Sequence, residues 1–262
     1  MKIDLRNASC EVELAALPDS SVDVIINDPP YGTTQCGWDI ALNMDVIWEQ
    51  YLRVLKPNGA ILLFSAQPFT SQLIMSKPDL FRYVWYWEKE KGTNFLSTGY
   101  QPLRVIEEVC VFSRNVKFTY NPQMIPLDKP YTHTMPIKKS AVAGSFKSAN
   151  QNPNEREYKT YTHSHPKNLV KFARDNANKS LVPTQKPVSV MEYLINTYSN
   201  EGDVVLDNTM GSGTTGVACK RLKRSFIGME MDPKHFQIAK DRIDAEPEPE
   251  DVETAEEFFT FS

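Results

Sequence analysis

Val204-Val205-Leu206-Asp207-Asn208-Thr209-Met210-Gly211-Ser212-Gly213-Thr214-Thr215-Gly216 is the stretch on which the reading of the fold turns. A short β-branched run stops at a carboxylate, and glycines in G-x-G-x-x-G spacing lead into a segment with helical apolar periodicity. A buried strand, a glycine loop and a helix in that order form a nucleotide-cofactor unit. The glycines allow a tight turn and close approach of backbone to ligand, and the helix start offers unpaired N–H groups. Downstream, Ser225 to Glu230 reads as the next strand, with Glu230 at its end where a ribose-binding acid belongs. Asp232-Pro233 then starts a helix with Phe236, Ala239 and Ile243 aligned. Upstream, Pro187 opens a helix with Val188, Met191, Leu194, Ile195 and Tyr198 on one side, and Gly202 stands where a C-terminal cap belongs.

Further toward the N-terminus, the run Val22 to Asn27 reads as a buried strand that stops at Asp28-Pro29-Pro30-Tyr31, where proline forbids ladder pairing. Asn43 caps a helix with Ile47, Trp48, Tyr51, Leu52 and Leu55 on one face, and Lys56-Pro57-Asn58-Gly59 ends it. Ala60 to Ser65, Tyr83 to Glu88 and Glu108 to Phe112 complete an alternation of strands and helices over residues 1–114. Residues 115–180 differ: six prolines interrupt a polar, basic stretch that holds His133, His163 and His165, an inserted module or long loops outside the sheet core. Residues 181–244 return to the alternating pattern, and 245–262 read as an acidic, disordered tail.

The net charge of -4 is unusual for a nucleic-acid binder until it is divided along the chain. Residues 115–180 sum to +7 and residues 244–262 to -8, so a basic insert sits in a chain with an acidic end. Cys10, Cys36, Cys110 and Cys219 form no CxxC pair, which argues against a zinc site or a disulfide framework. No run of eighteen apolar residues occurs and the first residues lack the apolar stretch of a signal peptide, so the expectation is a cytoplasmic protein with no membrane association.

The chemistry of the two loops narrows the class. The glycine loop alone does not choose among nucleotide cofactors, but Asp207 at its entrance would repel a dinucleotide pyrophosphate and attract the ammonium and sulfonium of S-adenosylmethionine. The tetrad Asp28-Pro29-Pro30-Tyr31 suits an acceptor of exocyclic amino groups. Such a nitrogen is a poor nucleophile because its lone pair is delocalised into the ring. If Asp28 and a backbone carbonyl held by the prolines each accept one N–H, the nitrogen is drawn toward tetrahedral geometry and its lone pair can meet a methyl donor. Tyr31 would stack on a base rotated out of the duplex. Neither a covalent intermediate nor a metal is needed.

Both motifs, in this order, resemble the amino-methylating DNA methyltransferases of the permuted beta group, in which the catalytic tetrad precedes the cofactor loop. Asp207 to Thr215 resembles that family's acid-x-x-x-Gly-Ser-Gly-Thr-Thr loop, Gly228 to Asp232 its ribose-binding strand end, and Thr184-Gln185-Lys186-Pro187 the turn before its first cofactor-side helix. The resemblance implies an α/β, Rossmann-like sheet of seven strands, mostly parallel with one antiparallel strand, and a target-recognition region in the place of 115–180. It implies S-adenosylmethionine as cofactor, with Asp28, Lys186, Asp207, Asn208, Thr209, Gly211, Gly213, Thr214, Thr215 and Glu230 around it, and Asp28, Pro29, Pro30 and Tyr31 as the catalytic turn. Double-stranded DNA is the implied partner, and a homodimer and a cognate restriction endonuclease are compatible with the family. An Asp-started tetrad goes in this family mostly with adenine N6, a Ser-started one with cytosine N4.

Two departures stand out: Asn208-Thr209 replaces the family's frequent Pro-Phe, and Asn7-Ala8-Ser9-Cys10 stands where many relatives carry Gly-Asp. Competing readings are methylation of cytosine N4, of RNA or of a protein amide, a silent DNA-binding protein that keeps the fold, and a nicotinamide oxidoreductase. The basic insert favours DNA, the intact Asp28 and glycine loop favour an active enzyme, and Asp207 argues against a dinucleotide. The strands ending at Asp28 and Asp207 are expected to lie side by side.

Overall fold

The computed structural model describes residues 1–30, 42–136, 156–173 and 185–248. Ten strands and six helices follow one another as β1 (Ile3–Arg6), α1 (Cys10–Ala15), β2 (Val22–Asn27), α2 (Met44–Val54), β3 (Leu55–Ser65), α3 (Phe69–Ser76), β4 (Phe81–Thr93), β5 (Arg104–Phe112), β6 (Ile125–Pro136), β7 (Arg156–Ser164), β8 (Leu169–Phe172), α4 (Val188–Tyr198), β9 (Val204–Asp207), α5 (Thr214–Arg221), β10 (Ser225–Met229) and α6 (Pro233–Ala245). Residues 1–121 and 168–248 form one unit, and residues 122–167 a second.

In the first unit eight strands are ordered β1-β10-β9-β2-β3-β5-β4-β8. Among the described strands of this sheet only β5 runs antiparallel to its neighbours. Strands β2 and β3 read as continuous apolar runs because both faces are covered. Val24, Ile26, Leu62 and Phe64 pack with Met191, Leu194 and Ile195 of α4, Val217 of α5 and Ile243 of α6. The alternate residues Ile25, Ile61 and Leu63 pack with Leu14 of α1, Ile47, Trp48 and Tyr51 of α2 and Leu73 of α3. Period-two alternation thus assigns three helices to each face. Asn43 Oδ1 accepts the Asp45 N–H at the start of α2, and Asp232 accepts the N–H groups of Lys234 and His235 at the start of α6, as the cap residues predict. Among the described residues no helix is long and apolar enough to cross a membrane.

The fold class and the single antiparallel strand stand as expected, but the sheet has eight strands, not seven. The additional strand, β8, falls inside 115–180, which the sequence places outside the sheet core. Leu169–Phe172 pairs in parallel with Tyr86–Lys89 of β4. Phe172 is buried against the Tyr193 ring at 5.4 Å, and its carbonyl accepts Trp87 Nε1–H at 3.2 Å. Four residues between polar, proline-rich flanks carry too short an alternation to be read as a strand. Likewise Phe118 stacks on Tyr198 at 6.2 Å, so the start of the insert is also anchored to the first unit. Two local readings also change. Residues 55–59 continue into β3 after α2 stops at Val54, and Gly202, at φ 87°, sits in the turn before β9, with Ser199 as the cap of α4.

The second unit is a two-stranded antiparallel ribbon in which Tyr131 pairs with Tyr161, Thr132 with Thr160 and His133 with Lys159. His133 and His163 therefore stand on strands, whereas the sequence places them in loops. The acidic tail beyond Glu248, Tyr31, Cys36 and Thr184 lie outside the described residues.

Candidate active site

The strands that end at Asp28 and Asp207 are neighbours, with Val24 beside Val205 and Ile25 beside Leu206. From this pair the chain runs outward in both directions, through β3, β5 and β4 on one side and β10 and β1 on the other. This is the topological switch point at which open α/β sheets bind ligands, beyond the strand carboxyl ends.

Buried polar groups fasten the two strand ends together. Asn27 Nδ2 donates to Tyr51 Oη and to Asn208 Oδ1, each at 2.7 Å, and Tyr51 Oη donates to Asn208 Oδ1 at 2.6 Å. The Thr209 hydroxyl bonds Asn27 Oδ1 and lies 3.1 Å from the Asp28 carbonyl. Asn208 and Thr209, the pair that departs from the family pattern, thus tie the glycine loop to the Asp28 turn. Asn208 Nδ2 is buried and has no hydrogen-bond partner among the described residues. Such an orphan is a group that a ligand or water can satisfy. Burial pushes the Tyr51 hydroxyl above its ordinary pKa, so it stays a donor.

Asp28 follows β2 directly, with Pro29 and Pro30 turning the chain away. Its Oδ2 accepts from Lys186 Nζ at 2.6 Å. The same ammonium lies 3.2 Å from Glu107 Oε2 and 5.1 Å from the centre of the Phe64 ring. Glu107 Oε1 in turn takes Lys89 Nζ at 3.0 Å. Burial alone would raise the Glu107 carboxyl, but Lys186 and Lys89 outweigh it and hold the group below its ordinary value. Burial likewise opposes the charge on Lys186, and Asp28 and Glu107 overcome it, so the ammonium is kept charged.

On the other side of the switch point the glycine loop takes the shape its residues allow. Gly211 and Gly213 have φ of 52° and 75°, in the left-handed region. A Cβ at Gly211 would meet nothing within 4 Å among the described residues, which leave the backbone there open to approach, whereas one at Gly213 would come within 2.8 Å of Ala239 Cβ. Arg242 Nη1 grips the loop by donating to Ser212 O at 2.6 Å, Ser212 Oγ at 2.9 Å and Thr214 Oγ1 at 3.1 Å. Asp207 is buried within the loop: Oδ1 accepts the Thr209 N–H at 3.2 Å and Oδ2 accepts the Thr215 hydroxyl at 2.6 Å. Burial pushes its carboxyl up to about 7, with the Thr215 hydroxyl and Thr209 N–H pulling it back and Asp28 and Glu230 adding to the rise.

Glu230 comes directly after β10, not within it. One of its oxygens accepts the Gly211 N–H at 3.0 Å and the other the Asp232 N–H at 2.8 Å. A carboxylate oxygen has two lone pairs, so these bonds orient the group without saturating it. Asn7 Nδ2 donates to the Glu230 carbonyl at 2.8 Å and to the Met231 carbonyl at 3.3 Å, which links the N-terminal departure to this region.

The structure therefore brings Asp28, Lys186, Asp207, Asn208, Thr209, Gly211, Gly213, Thr214, Thr215 and Glu230 to one edge of one sheet. Asn27, Tyr51, Lys89, Glu107 and Arg242, which the motifs do not mark, hold them there. A buried carboxylate, an open glycine backbone and a second carboxylate at the next strand end fit a cationic nucleoside cofactor.

Sheet order and strand-end chemistry define a Rossmann-like methyltransferase. The family model described as DNA methylase matches residues 22–241. The type II methyltransferase M.HpaI of Haemophilus parainfluenzae is 32% identical over 252 residues, covering 89% of this chain and 71% of that protein. M1.MboII of Moraxella bovis, also a type II methyltransferase, is 28% identical over 248 residues, covering 90% and 94%. Among solved structures, the M1.HpyAVI–SAM complex matches with a TM-score of 0.62 at 24% identity over 92% of this chain and 99% of that one. The PvuII DNA methyltransferase, cytosine-N4-specific, matches with a TM-score of 0.67 at 15% identity over 95% and 89%. At these identities the two structures speak for the fold alone. The chain belongs to the DNA methylase family, and is a DNA methyltransferase with S-adenosylmethionine as methyl donor.

Proposed function

We propose that this methyltransferase modifies the exocyclic N6 of adenine in double-stranded DNA, with Asp28 steering the target nitrogen. The observation that carries this reading is an aspartate at the carboxyl end of β2, beside the glycine-loop strand β9 and in contact with Lys186. Asp28 and a backbone carbonyl of the proline turn accept the two N–H bonds of the amino group, which localises its lone pair. The charged carboxylate stabilises the positive charge that grows on that nitrogen and offers a place for the proton it sheds. Tyr31 stacks on the extruded base. The bound cofactor supplies an electrophilic methyl group on a sulfonium. Glu230 would accept from the ribose hydroxyls, the open backbone at Gly211 would admit the ligand, and Asp207 with the turn at Lys186 would hold its charged end. Residues 115–180 supply target recognition through their basic charge. The reading extends to a cytoplasmic enzyme that works beside a cognate endonuclease, with a homodimer as its assembly.

Nucleoside analysis of DNA methylated by the purified enzyme tests the choice of base. N6-methyladenine is expected, and N4-methylcytosine as the sole modified nucleoside would overturn the assignment.

Asp207 makes cofactor binding depend on pH. With its carboxyl pushed up to about 7, the folded protein binds more protons than the unfolded chain above pH 3.8. Its contribution to stability is therefore full below that value and is lost as pH rises through 7. Binding a cation needs the ionised form, so affinity has the opposite trend. The dissociation constant at pH 6 is expected to be roughly tenfold weaker than at pH 7.5, since each pH unit below the pKa costs about a factor of ten. Asp207→Asn should bind more weakly and lose that slope. Calorimetric titration across this range checks it, and a slope unchanged in Asp207→Asn would remove Asp207 from the cationic end.

A further inference from the structure

Lys89 is 3% exposed, an unusual position for a lysine unless its charge is matched. It lies on β4, its partner Glu107 on β5, Asp28 at the end of β2 and Lys186 before α4. Four charges of alternating sign thus join along one sheet edge, Lys89 to Glu107 at 3.0 Å, Glu107 to Lys186 at 3.2 Å and Lys186 to Asp28 at 2.6 Å. Because β5 runs antiparallel to β3 and β4, its first residues reach the same edge as the last residues of β2 and β4.

A single lysine paired with Asp28 would work against the chemistry proposed for that residue. Its charge would offset that of the carboxylate, and the positive charge developing on the target nitrogen would meet a neutral pair. Three N–H donors would also compete with the base for the same oxygens. Glu107 changes this balance. It takes a share of the Lys186 ammonium, so the cluster nearest the base carries one net negative charge. Lys89 supplies the compensating charge at the other oxygen of Glu107, Oε1, which makes burial of the second carboxylate tolerable.

We propose that Glu107 is a positioning residue for methyl transfer, drawing Lys186 partly off Asp28 so that Asp28 keeps its negative charge and acceptor capacity for the target amino group, with Lys89 as the counterion that allows it. This rests on Asp28 as the residue that steers the nitrogen.

The test compares Glu107→Gln, Lys89→Met and the double variant in the full chain, with Asp28→Ala alongside. Single-turnover methyl transfer, cofactor dissociation constant and thermal midpoint are measured for each. Glu107→Gln leaves Lys89 buried without its carboxylate and should lose both thermal stability and rate, the rate by about tenfold or more. The double variant removes the unmatched lysine. It should regain most of the thermal midpoint yet stay about tenfold slow, with cofactor affinity within about threefold of the parent, as expected for a transition-state effect. Lys89→Met leaves Glu107 with Lys186 alone and should lower the thermal midpoint, which separates the stability cost of losing this counterion from the rate loss read in the double variant. Recovery of the parental rate in the double variant would reduce Glu107 to a structural ion-pair partner and overturn the proposal. So would a folded Glu107→Gln protein that transfers methyl groups at the parental rate. If Asp28→Ala is itself unimpaired, the failure belongs to the steering role of Asp28, and a slow double variant would no longer be read through that residue.

Discussion

Asp28→Ala is expected to slow methyl transfer by on the order of a hundredfold or more, the usual cost of removing a preorganised electrostatic partner from a transition state. Asp28→Asn keeps the shape but exchanges one oxygen for an NH₂ donor and removes the charge, so it should fall in the same range. Folding should survive either change. Asp28 lies beyond the last paired residue of β2, and Lys186 retains Glu107 as a counterion, so no buried ammonium is left unmatched. Cofactor affinity should move much less, because the glycine loop and Glu230 follow β9 and β10. It should even improve slightly below neutral pH, since the Asp28 charge is one of the causes that raise the Asp207 carboxyl, and its removal lets Asp207 ionise more readily. Single-turnover transfer at saturating cofactor and DNA, with affinity measured in parallel, decides the matter. A rate within about threefold of the parent would end the steering role proposed for the tetrad.

What could be read before the structure was known follows a physical division. The strand ends at Asp28 and Asp207 were legible because each motif combines a buried apolar run with residues that local geometry demands: proline to stop a ladder, and glycine at positive φ. Their adjacency followed from the rule that ligands bind at a switch point. Strand β8 was not legible because four residues offer too little periodicity. It is the pairing with β4 and the burial of Phe172 that fix it. The chain of charges from Lys89 to Asp28 was hidden for another reason. In the sequence Glu107 stands just before the apolar run Glu108 to Phe112, outside the strand read there, and only the antiparallel course of β5, with Trp87 opposite Glu107, brings it to the site. The Asn208-Thr209 departure was visible as a loss. That the same two side chains knot the Asp28 turn to the cofactor loop required the register of β2 against β9.

The same division sets how the recognition region should be tested. Removing all of 115–180, as the basic charge suggests, would take away β8 and Phe118 and damage the sheet edge and the packing on Tyr198. Residues 122–167 form the separate unit and still hold seven Lys/Arg against three Asp/Glu. Their ribbon stacks Tyr131 on Tyr161 at 5.3 Å, sets Lys159 Nζ 5.2 Å from the Tyr161 ring and joins the Thr132 and Thr160 hydroxyls at 3.0 Å. A two-stranded ribbon alone is marginally stable in water but has the dimensions to enter a DNA major groove, where hydroxyl, amine and aromatic groups can read base edges. Replacing 122–167 with a short Gly/Ser linker should therefore leave the thermal transition of the sheet and cofactor affinity within about threefold. Methylation at the recognised sites should fall by on the order of a hundredfold or more, since specific binding commonly exceeds non-specific binding by about a thousandfold or more. The salt dependence of the remaining DNA binding should also flatten, as each lost phosphate contact reduces the slope by about 0.9. Mapping of modified positions separates the outcomes: a shortened enzyme that still marked the parental sites at a comparable rate would move target recognition out of the ribbon and into the loops at the edge of the sheet.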